Sequence, residues 1–118
     1  MKTSTTSTAI VAKHYVRRGR TYVFGPGKAE LLERIQKTGS IAEAAKEMEM
    51  SYMRAWQLVK GMNKSWTEPL VTTARGGSKR GGTAVTETGL KVLELYRDLE
   101  ATAEAATKSA AKKFAALL

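Results

Sequence analysis

Arginine, glutamine and lysine side chains recur at helical spacing in the middle of the chain. If residues 51 to 66 form a helix, the rotation of about 100° per residue turns Arg54, Gln57 and Lys60 away from its apolar side. Arginine can pair with N7 and O6 of guanine, and glutamine with N6 and N7 of adenine. The candidates for contact with a DNA duplex are Ser51, Tyr52, Met53, Arg54, Gln57, Lys60 and Lys64. The competing interpretation is a solvated helix face without a partner.

Two residues of this segment have further interpretations. Ser51 would lie at the N-terminus of the helix, where free backbone N–H groups suit a phosphate. Trp56 would lie on the flank of the helix, where an indole can either pack in the core or touch the sugar–phosphate edge. We therefore treat Trp56 as a boundary residue.

A glycine-rich basic segment follows the predicted helix. Residues 75 to 82 read RGGSKRGG, which combines a flexible backbone with three cationic side chains. Such a hairpin tip can follow a phosphate backbone or enter the minor groove. The candidate contact residues are Arg75, Ser78, Lys79 and Arg80. A disordered basic loop is the alternative, whereas a nucleotide-binding loop is disfavoured because Gly82 stands where that motif requires lysine.

The distribution of charge favours a polyanionic partner. The formal net charge is +9, and residues 1 to 28 hold six Lys/Arg and no acid. Residues 51 to 80 hold six Lys/Arg and one acid, whereas the rest of the chain holds eight basic and ten acidic side chains. Neutralised phosphates release condensed counterions, and this release favours the complex. A soluble basic protein without such a partner is the alternative.

The sequence offers little for catalysis, metal binding or membrane insertion. It contains no cysteine and one histidine, His14, which we expect to be a partly exposed strand residue without an acidic cluster beside it. We predict no cofactor, no metal site and no enzymatic activity. No apolar run approaches the roughly 20 residues of a membrane span, and no signal-peptide pattern is present. We expect a cytoplasmic, nucleoid-associated protein without membrane contact.

The N-terminal part of the chain is predicted to form a tail, a hairpin and a helix. Residues 1 to 8 are rich in Ser and Thr and are expected to be a mobile tail. Strands over residues 10 to 16 and 21 to 24 should form a hairpin that turns at Gly19. A helix should then begin at Gly25-Pro26 and end just before a glycine.

Two further helices are predicted from their N-terminal caps. Ser40 and Glu43 have the spacing of a capping box, in which each side chain bonds the backbone N–H of the other residue. Three residues link this short helix to the next one, which is capped by Ser51. Two short helices joined by a tight turn indicate a helix-turn-helix unit. A second hairpin, over residues 70 to 85, follows directly.

The C-terminal helix is predicted to be a dimerisation element. Thr86 caps it, and small and apolar residues recur along it at steps of three or four. A stripe of this length should pack against another subunit. Its residues are Val92, Tyr96, Leu99, Ala103, Ala106, Ala110 and Phe114. We therefore expect a homodimer, whose two-fold symmetry would favour an inverted repeat in DNA.

A series of short motifs extends over about residues 25 to 97. They are Leu31-Leu32, Ile35, Thr38-Gly39-Ser40-Ile41, Ala44-Ala45-Lys46, Met50-Ser51-Tyr52, Arg54-Ala55-Trp56, Met62-Asn63, Glu68-Pro69-Leu70-Val71, Gly76-Gly77, Gly81-Gly82 and Thr86-x-x-Gly89. This region resembles the N-terminal DNA-binding domain of the ModE-type molybdate-responsive regulators, and through them the LysR-type winged helix. The resemblance implies a dimer whose helix after Ser51 enters the major groove and whose glycine-rich hairpin is the wing.

The resemblance covers only one part of that family's full-length members. Those members also carry a domain that binds molybdate, and the sequence reaches Leu118 without one. We therefore do not carry metal-oxyanion sensing over from the family to this chain. Its effector, if it has one, would be a partner protein or a small molecule bound between subunits.

The sequence as a whole predicts an α+β winged helix-turn-helix protein. Residues 9 to 86 would form the DNA-binding domain and residues 87 to 118 the dimerisation helix. Together they would act as a sequence-specific transcriptional regulator on double-stranded DNA. One alternative is an architectural, chromatin-type protein with little sequence preference, which would lack the thousandfold or so preference of a reader for its site. The other is an interaction adaptor that has lost DNA binding, which would show weak salt dependence.

Overall fold

The computed structural model describes residues 7–73 and 82–118. In these residues the elements are β1 (Val16–Arg18), β2 (Thr21–Phe24), α1 (Pro26–Thr38), α2 (Ile41–Glu47), α3 (Tyr52–Ser65), β3 (Val71–Thr73), β4 (Thr83–Val85) and α4 (Glu87–Ala115). β1 pairs with β2 and β3 with β4, each time antiparallel. The predicted mixture of helices and short hairpins with a long final helix is confirmed.

The N-terminal hairpin is shorter than predicted. It turns at Gly19, whose φ of 60° lies in the left-handed region, but β1 begins only at Val16. Residues 10 to 15 have no regular secondary structure. Val16 already pairs with Phe24, the last residue of β2, so that earlier residues have no partner strand. The expected strand before Val16, with His14 in it, is therefore wrong.

α1 lies at the centre of the fold. Pro26 takes its first position, where a missing N–H costs nothing. The helix ends at Gly39, whose φ of 70° allows its N–H to donate to the Ile35 carbonyl at 2.7 Å. The helix packs against α2, α3, α4, β2 and β4. Its buried residues are Ala29, Leu31, Leu32 and Ile35.

Serine caps begin both α2 and α3, as the sequence predicts. The Ser40 hydroxyl accepts from the Glu43 N–H at 3.0 Å, and the Ser51 hydroxyl accepts from the Arg54 N–H at 3.1 Å. The second bond of the capping box differs from the prediction, since the Ser40 N–H donates to the Thr38 hydroxyl at 3.2 Å. Only two residues separate α1 from α2, and the last side chain of α1 therefore reaches this donor first.

The hydrophobic core lies between the helices and the bases of the two hairpins. Phe24 meets the rings of Trp66 and Tyr96 edge-on, with centroids 6.1 and 5.2 Å away. α4 contributes Val92 and Tyr96, which are only 7% and 3% exposed. The largest fully buried side chains are Phe24, Leu31, Leu32, Ile35, Met62 and Leu70. The first turns of α4 are thus part of the globular body.

Two arginines connect α1 to its neighbouring helices. Arg34 contacts Glu30 in α1 at 2.7 Å and Glu47 in α2 at 2.9 Å. Arg97 in α4 contacts Glu33 at 2.7 Å. The hydrogen bond from Arg34 lowers the pKa of the Glu47 carboxyl. Because these side chains are only partly buried, the pairs orient the helices and add little to stability.

Candidate nucleic-acid interface

A short connection sets α3 against α2. Residues 48 to 51 separate the two helices, and Glu49 among them has a φ of 56°, which is uncommon for a residue other than glycine. The Met50 N–H donates to the Ala45 carbonyl at 3.0 Å and closes the turn. Ala45 and Ala55 are buried small residues, which let the two helices approach closely. The start of α3 is therefore held firmly in place.

α3 has one buried and one exposed side. Ala55, Val59 and Met62 are buried, as the predicted apolar face requires, and Trp66 caps the helix end half-buried. The seven predicted contact residues are all solvent-exposed: Ser51, Tyr52, Met53, Arg54, Gln57, Lys60 and Lys64. The structure thus leaves all seven residues accessible to a partner.

Trp56 belongs to this surface rather than to the core. Its side chain is 39% exposed, and the Lys60 ammonium lies 4.9 Å from the centroid of its ring. This distance allows a cation–π interaction, which holds the lysine beside the indole. An exposed aromatic ring and a cation next to each other suit contact with a sugar–phosphate backbone.

The exposed side of α3 is positively charged, and no acidic residue of the helix neutralises this charge. The helix contains Arg54, Lys60 and Lys64 and no acidic residue. Within residues 7–73 and 82–118, the ion pairs involve Arg34, Lys37 and Arg97, and none of the cations of α3. The positive charge of α3 is therefore available to an external anion.

Arg54 also borders a depression between α3 and the N-terminal hairpin. This depression has a volume of about 300 Å³ and is lined by Tyr15, Tyr22, Lys28 and Arg54, among others. The Lys28 ammonium donates to the Tyr22 carbonyl at 3.2 Å, and burial lowers the pKa of Lys28. Sequence reasoning missed this cluster because its residues come from three separate elements and from the segment before β1. The cation-rich N-terminal segment was the only sequence signal for it.

Asn63 joins α3 to the second hairpin, a role that the sequence analysis did not assign. Its side-chain oxygen accepts from the N–H groups of Leu70 and Val71, at 2.8 and 3.0 Å. Its side-chain nitrogen donates to the Val71 carbonyl at 2.9 Å. One amide thus fixes the first residues of the β3 region to the last turn of α3.

The base of the second hairpin is described, whereas its tip is not. β3 and β4 pair in register from Val71 opposite Val85 to Thr73 opposite Thr83, which confirms the predicted hairpin. The four predicted contact residues of the tip lie outside the described residues and stay a prediction: Arg75, Ser78, Lys79 and Arg80.

The predicted dimerisation stripe of α4 falls into two parts. Val92 and Tyr96 pack inside this chain's own core, so they are not available to a partner. Ala103 is half-buried, whereas Leu99, Ala106, Ala110 and Phe114 are exposed. The predicted dimerisation stripe is therefore wrong for its first two residues, Val92 and Tyr96. The helix itself continues to Ala115.

Two negative findings apply to residues 7–73 and 82–118. In this part of the chain, no three His, Asp or Glu side chains come together as potential metal ligands. None of its helices combines the length and the apolar composition needed to cross a membrane.

Several known proteins are similar to this chain in sequence. The transcriptional regulator ModE of Haemophilus influenzae is 43% identical over 79 residues, which cover 67% of this chain and 31% of that protein. The DNA-binding transcriptional dual regulator ModE of Escherichia coli is 37% identical over 71 residues, 60% of this chain and 27% of that protein. This chain contains a ModE-type domain.

The similarity covers only a part of each relative's sequence. The molybdenum-pterin-binding protein MopB of Rhodobacter capsulatus is 42% identical over 77 residues, which cover 65% of this chain and 28% of that protein. The chain thus spans less than a third of the length of these three curated relatives. No protein-family model matches the chain. The names of these three relatives describe regulation and molybdenum-pterin binding rather than catalysis.

Proposed function

We propose that this protein binds double-stranded DNA and regulates transcription. In this proposal α2 and α3 form a helix-turn-helix, α3 is the recognition helix and the β3–β4 hairpin is the base of a wing. The observation that carries the proposal is the exposure of all seven candidate residues: Ser51 caps α3, the other six lie within it, and the helix contains no acidic residue. The names of the two ModE relatives support the same function.

The residues of α3 would have different roles in this complex. Arg54 and Gln57 have the chemistry to read guanine and adenine edges in the major groove. Ser51 lies at the helix N-terminus, where its position suits a backbone phosphate. Lys60 and Lys64 would contact phosphates and thereby fix the orientation of the helix without reading sequence.

We further propose that the protein acts as a homodimer through α4. Leu95 and Leu99 are 59% and 40% exposed, and together with Trp66 and Val16 they line an apolar cavity of about 260 Å³. Exposed apolar surface of this kind is typical of interfaces between subunits. The proposed contact thus uses Leu95 and Leu99 instead of the buried Val92 and Tyr96.

Selection from random duplexes tests the proposal as a whole. The purified full chain is mixed with duplexes of random sequence at two salt concentrations, and the bound fraction is sequenced. A regulator should enrich one site, by about a thousandfold or more over random duplex, and a dimer should enrich an inverted repeat. Salt-sensitive binding without enrichment would instead favour the architectural alternative. Absence of binding would refute DNA recognition.

A charge reversal tests the role assigned to α3. Arg54→Glu should lower affinity for the enriched duplex by about tenfold or more, because a base contact is lost and a like charge faces the phosphates. Lys108→Glu makes the same change of charge on an exposed residue of α4 and serves as the control. If Arg54→Glu stays within about twofold of the wild type, α3 is not the reading helix.

A further inference from the structure

The N-terminal hairpin carries three exposed arginines around a tight turn. Arg17 and Arg18 end β1, and Arg20 precedes β2, with Gly19 between them in a left-handed conformation. All three side chains belong to exposed residues. Residues 1 to 28 contain no acidic residue that could neutralise them. The hairpin therefore presents a compact cluster of positive charge.

Among the described residues, no carboxylate forms an ion pair with these three arginines. The ion pairs within residues 7–73 and 82–118 use Arg34, Lys37 and Arg97 as their cations. Three guanidinium groups on neighbouring residues repel one another, and an external polyanion relieves this repulsion. Guanidinium groups also match the geometry of phosphate oxygens, to which they donate two parallel hydrogen bonds.

The register of the hairpin connects this cluster to α3. Arg17 lies directly opposite Tyr22 in the β1–β2 pair, so that the two side chains share one face. The Tyr22 ring meets the Tyr15 ring at 5.8 Å, and both rings line the depression that Arg54 borders. The basic hairpin and the recognition surface of α3 are therefore neighbours.

We propose that the β1–β2 hairpin is a second DNA-binding arm, in which Arg17, Arg18 and Arg20 contact backbone phosphates beside the groove that α3 enters. The inference rests on the proposed function, since it assigns one more contact to the same duplex. The arm supplies affinity and not sequence recognition, because phosphates are alike at every base pair. The arm should therefore contribute the same binding free energy on the preferred site and on random duplex.

A triple substitution on the full chain tests the arm. Arg17→Gln, Arg18→Gln and Arg20→Gln together remove three charges from exposed positions. Dissociation constants are measured over a series of salt concentrations, for the enriched duplex and for a random one. The slope of log affinity against log salt should fall by about 0.9 for each lost phosphate contact, or about 2 to 3 in all. The preference of the protein for its site should stay the same.

Two further variants distinguish a phosphate contact made by the arm from a general effect of net charge and from a loss of folding. Lys108→Gln, Lys112→Gln and Lys113→Gln remove the same charge from the last turns of α4, where all three residues are exposed, and should leave the slope near the wild-type value. Arg17→Lys, Arg18→Lys and Arg20→Lys keep the charge on the hairpin and should restore most of the slope.

The outcomes distinguish this inference from the proposed function. If the wild type selects a site and the glutamine variant keeps the wild-type slope, the arm is refuted while the regulator proposal stands. If the variant loses binding to anionic lipid vesicles and none to duplex, the hairpin binds a membrane and the arm is again refuted. If the wild type binds no duplex, the proposed function itself fails. A loss confined to the preferred site would mean that the hairpin reads bases, which contradicts the inference.

Discussion

The hydroxyl of Tyr96 donates a 2.6 Å hydrogen bond to the backbone carbonyl of His14, 82 residues earlier in the chain. The tyrosine is 3% exposed and its ring packs edge-on against Phe24 in the core. One side chain of α4 therefore holds both the core and the extended segment that leads into β1. This segment has no partner strand, and the hydrogen bond helps to fix it along α4.

Replacement of this tyrosine tests the contact. Tyr96→Phe keeps the ring against Phe24 and removes the donor to the His14 carbonyl, so the free energy of unfolding should fall by about 1 kcal/mol. Urea denaturation measures the change. Tyr52→Phe is the matched control, since its ring is 52% exposed on α3, and should change stability by less than about 0.5 kcal/mol. Equal losses in both variants would contradict the assignment.

The same hydroxyl predicts a pH dependence. Burial raises the pKa of Tyr96 above its ordinary value of 10.0. The folded chain thus holds this proton more tightly than the unfolded chain, and the resulting stability is complete below pH 10 and is lost as the pH rises through the folded-state pKa. Relative to Tyr96→Phe, the wild type should lose stability over this alkaline range. The lowered pKa of Lys28 acts in the opposite direction but is common to both proteins, so the difference between their curves isolates Tyr96.

Gly89 is predicted to tolerate no side chain. A Cβ there would lie 2.6 Å from Val85 Cγ1 and would collide with the Leu70 carbonyl oxygen. Because the obstacle includes backbone, Gly89→Ala should destabilise the fold by about 1 to 3 kcal/mol through displacement of α4 from the second hairpin. Gly61 lies on the exposed side of α3, where an added Cβ would meet no neighbouring atom within 4 Å. Gly61→Ala should therefore stabilise the fold by up to about 1 kcal/mol. Thermal unfolding of both variants compares them directly, and a Gly89→Ala variant as stable as wild type would contradict the close contact.

Local rules predicted much of this fold from sequence. Ser40, Ser51 and Thr86 each accept the N-cap hydrogen bond that their residue types suggest. Gly39 ends α1 in the left-handed conformation that favours glycine. The exposed face of α3 followed from helical periodicity alone. In all these cases the decisive interaction lies within about four residues of the sequence.

Interactions between distant residues could not be predicted in this way. Apolar and β-branched residues before Val16 suggested a strand, yet a strand also requires a partner, and β2 ends at Phe24. The stripe on α4 suggested one interface, whereas its first members cover the core and leave later ones exposed. Asn63 has no local pattern that reveals its bonds to Leu70 and Val71. Tertiary context decided each of these outcomes.

Asn63 is predicted to be the anchor of the second hairpin. Asn63→Ala leaves the Leu70 and Val71 N–H groups without their acceptor and should cost roughly 2 kcal/mol of stability, since both groups are buried. Asn63→Asp keeps an acceptor for both N–H groups but sets a carboxylate oxygen against the Val71 carbonyl, so it should also cost stability while still protecting the Val71 N–H from exchange. Amide hydrogen exchange at Val71 should accelerate most in the alanine variant. An unchanged exchange rate there would show that the hairpin is held by other contacts.

Two leucines of α4 with similar exposure serve as test and control for the proposed dimer interface. Leu99 and Leu90 are 40% and 42% exposed, but nine residues separate them, which places them about 180° apart around the helix. Leu99 borders the apolar cavity beside the core and Leu90 does not. Leu99→Lys should therefore yield a monomer in light scattering, with reduced affinity for an inverted repeat and little change for a single half-site, because the two recognition helices are no longer linked. Leu90→Lys should remain a dimer. A dimeric Leu99→Lys variant would exclude this face as the interface, and a monomeric wild type would remove the dimer from the proposed function while leaving DNA recognition by α3 to its own test.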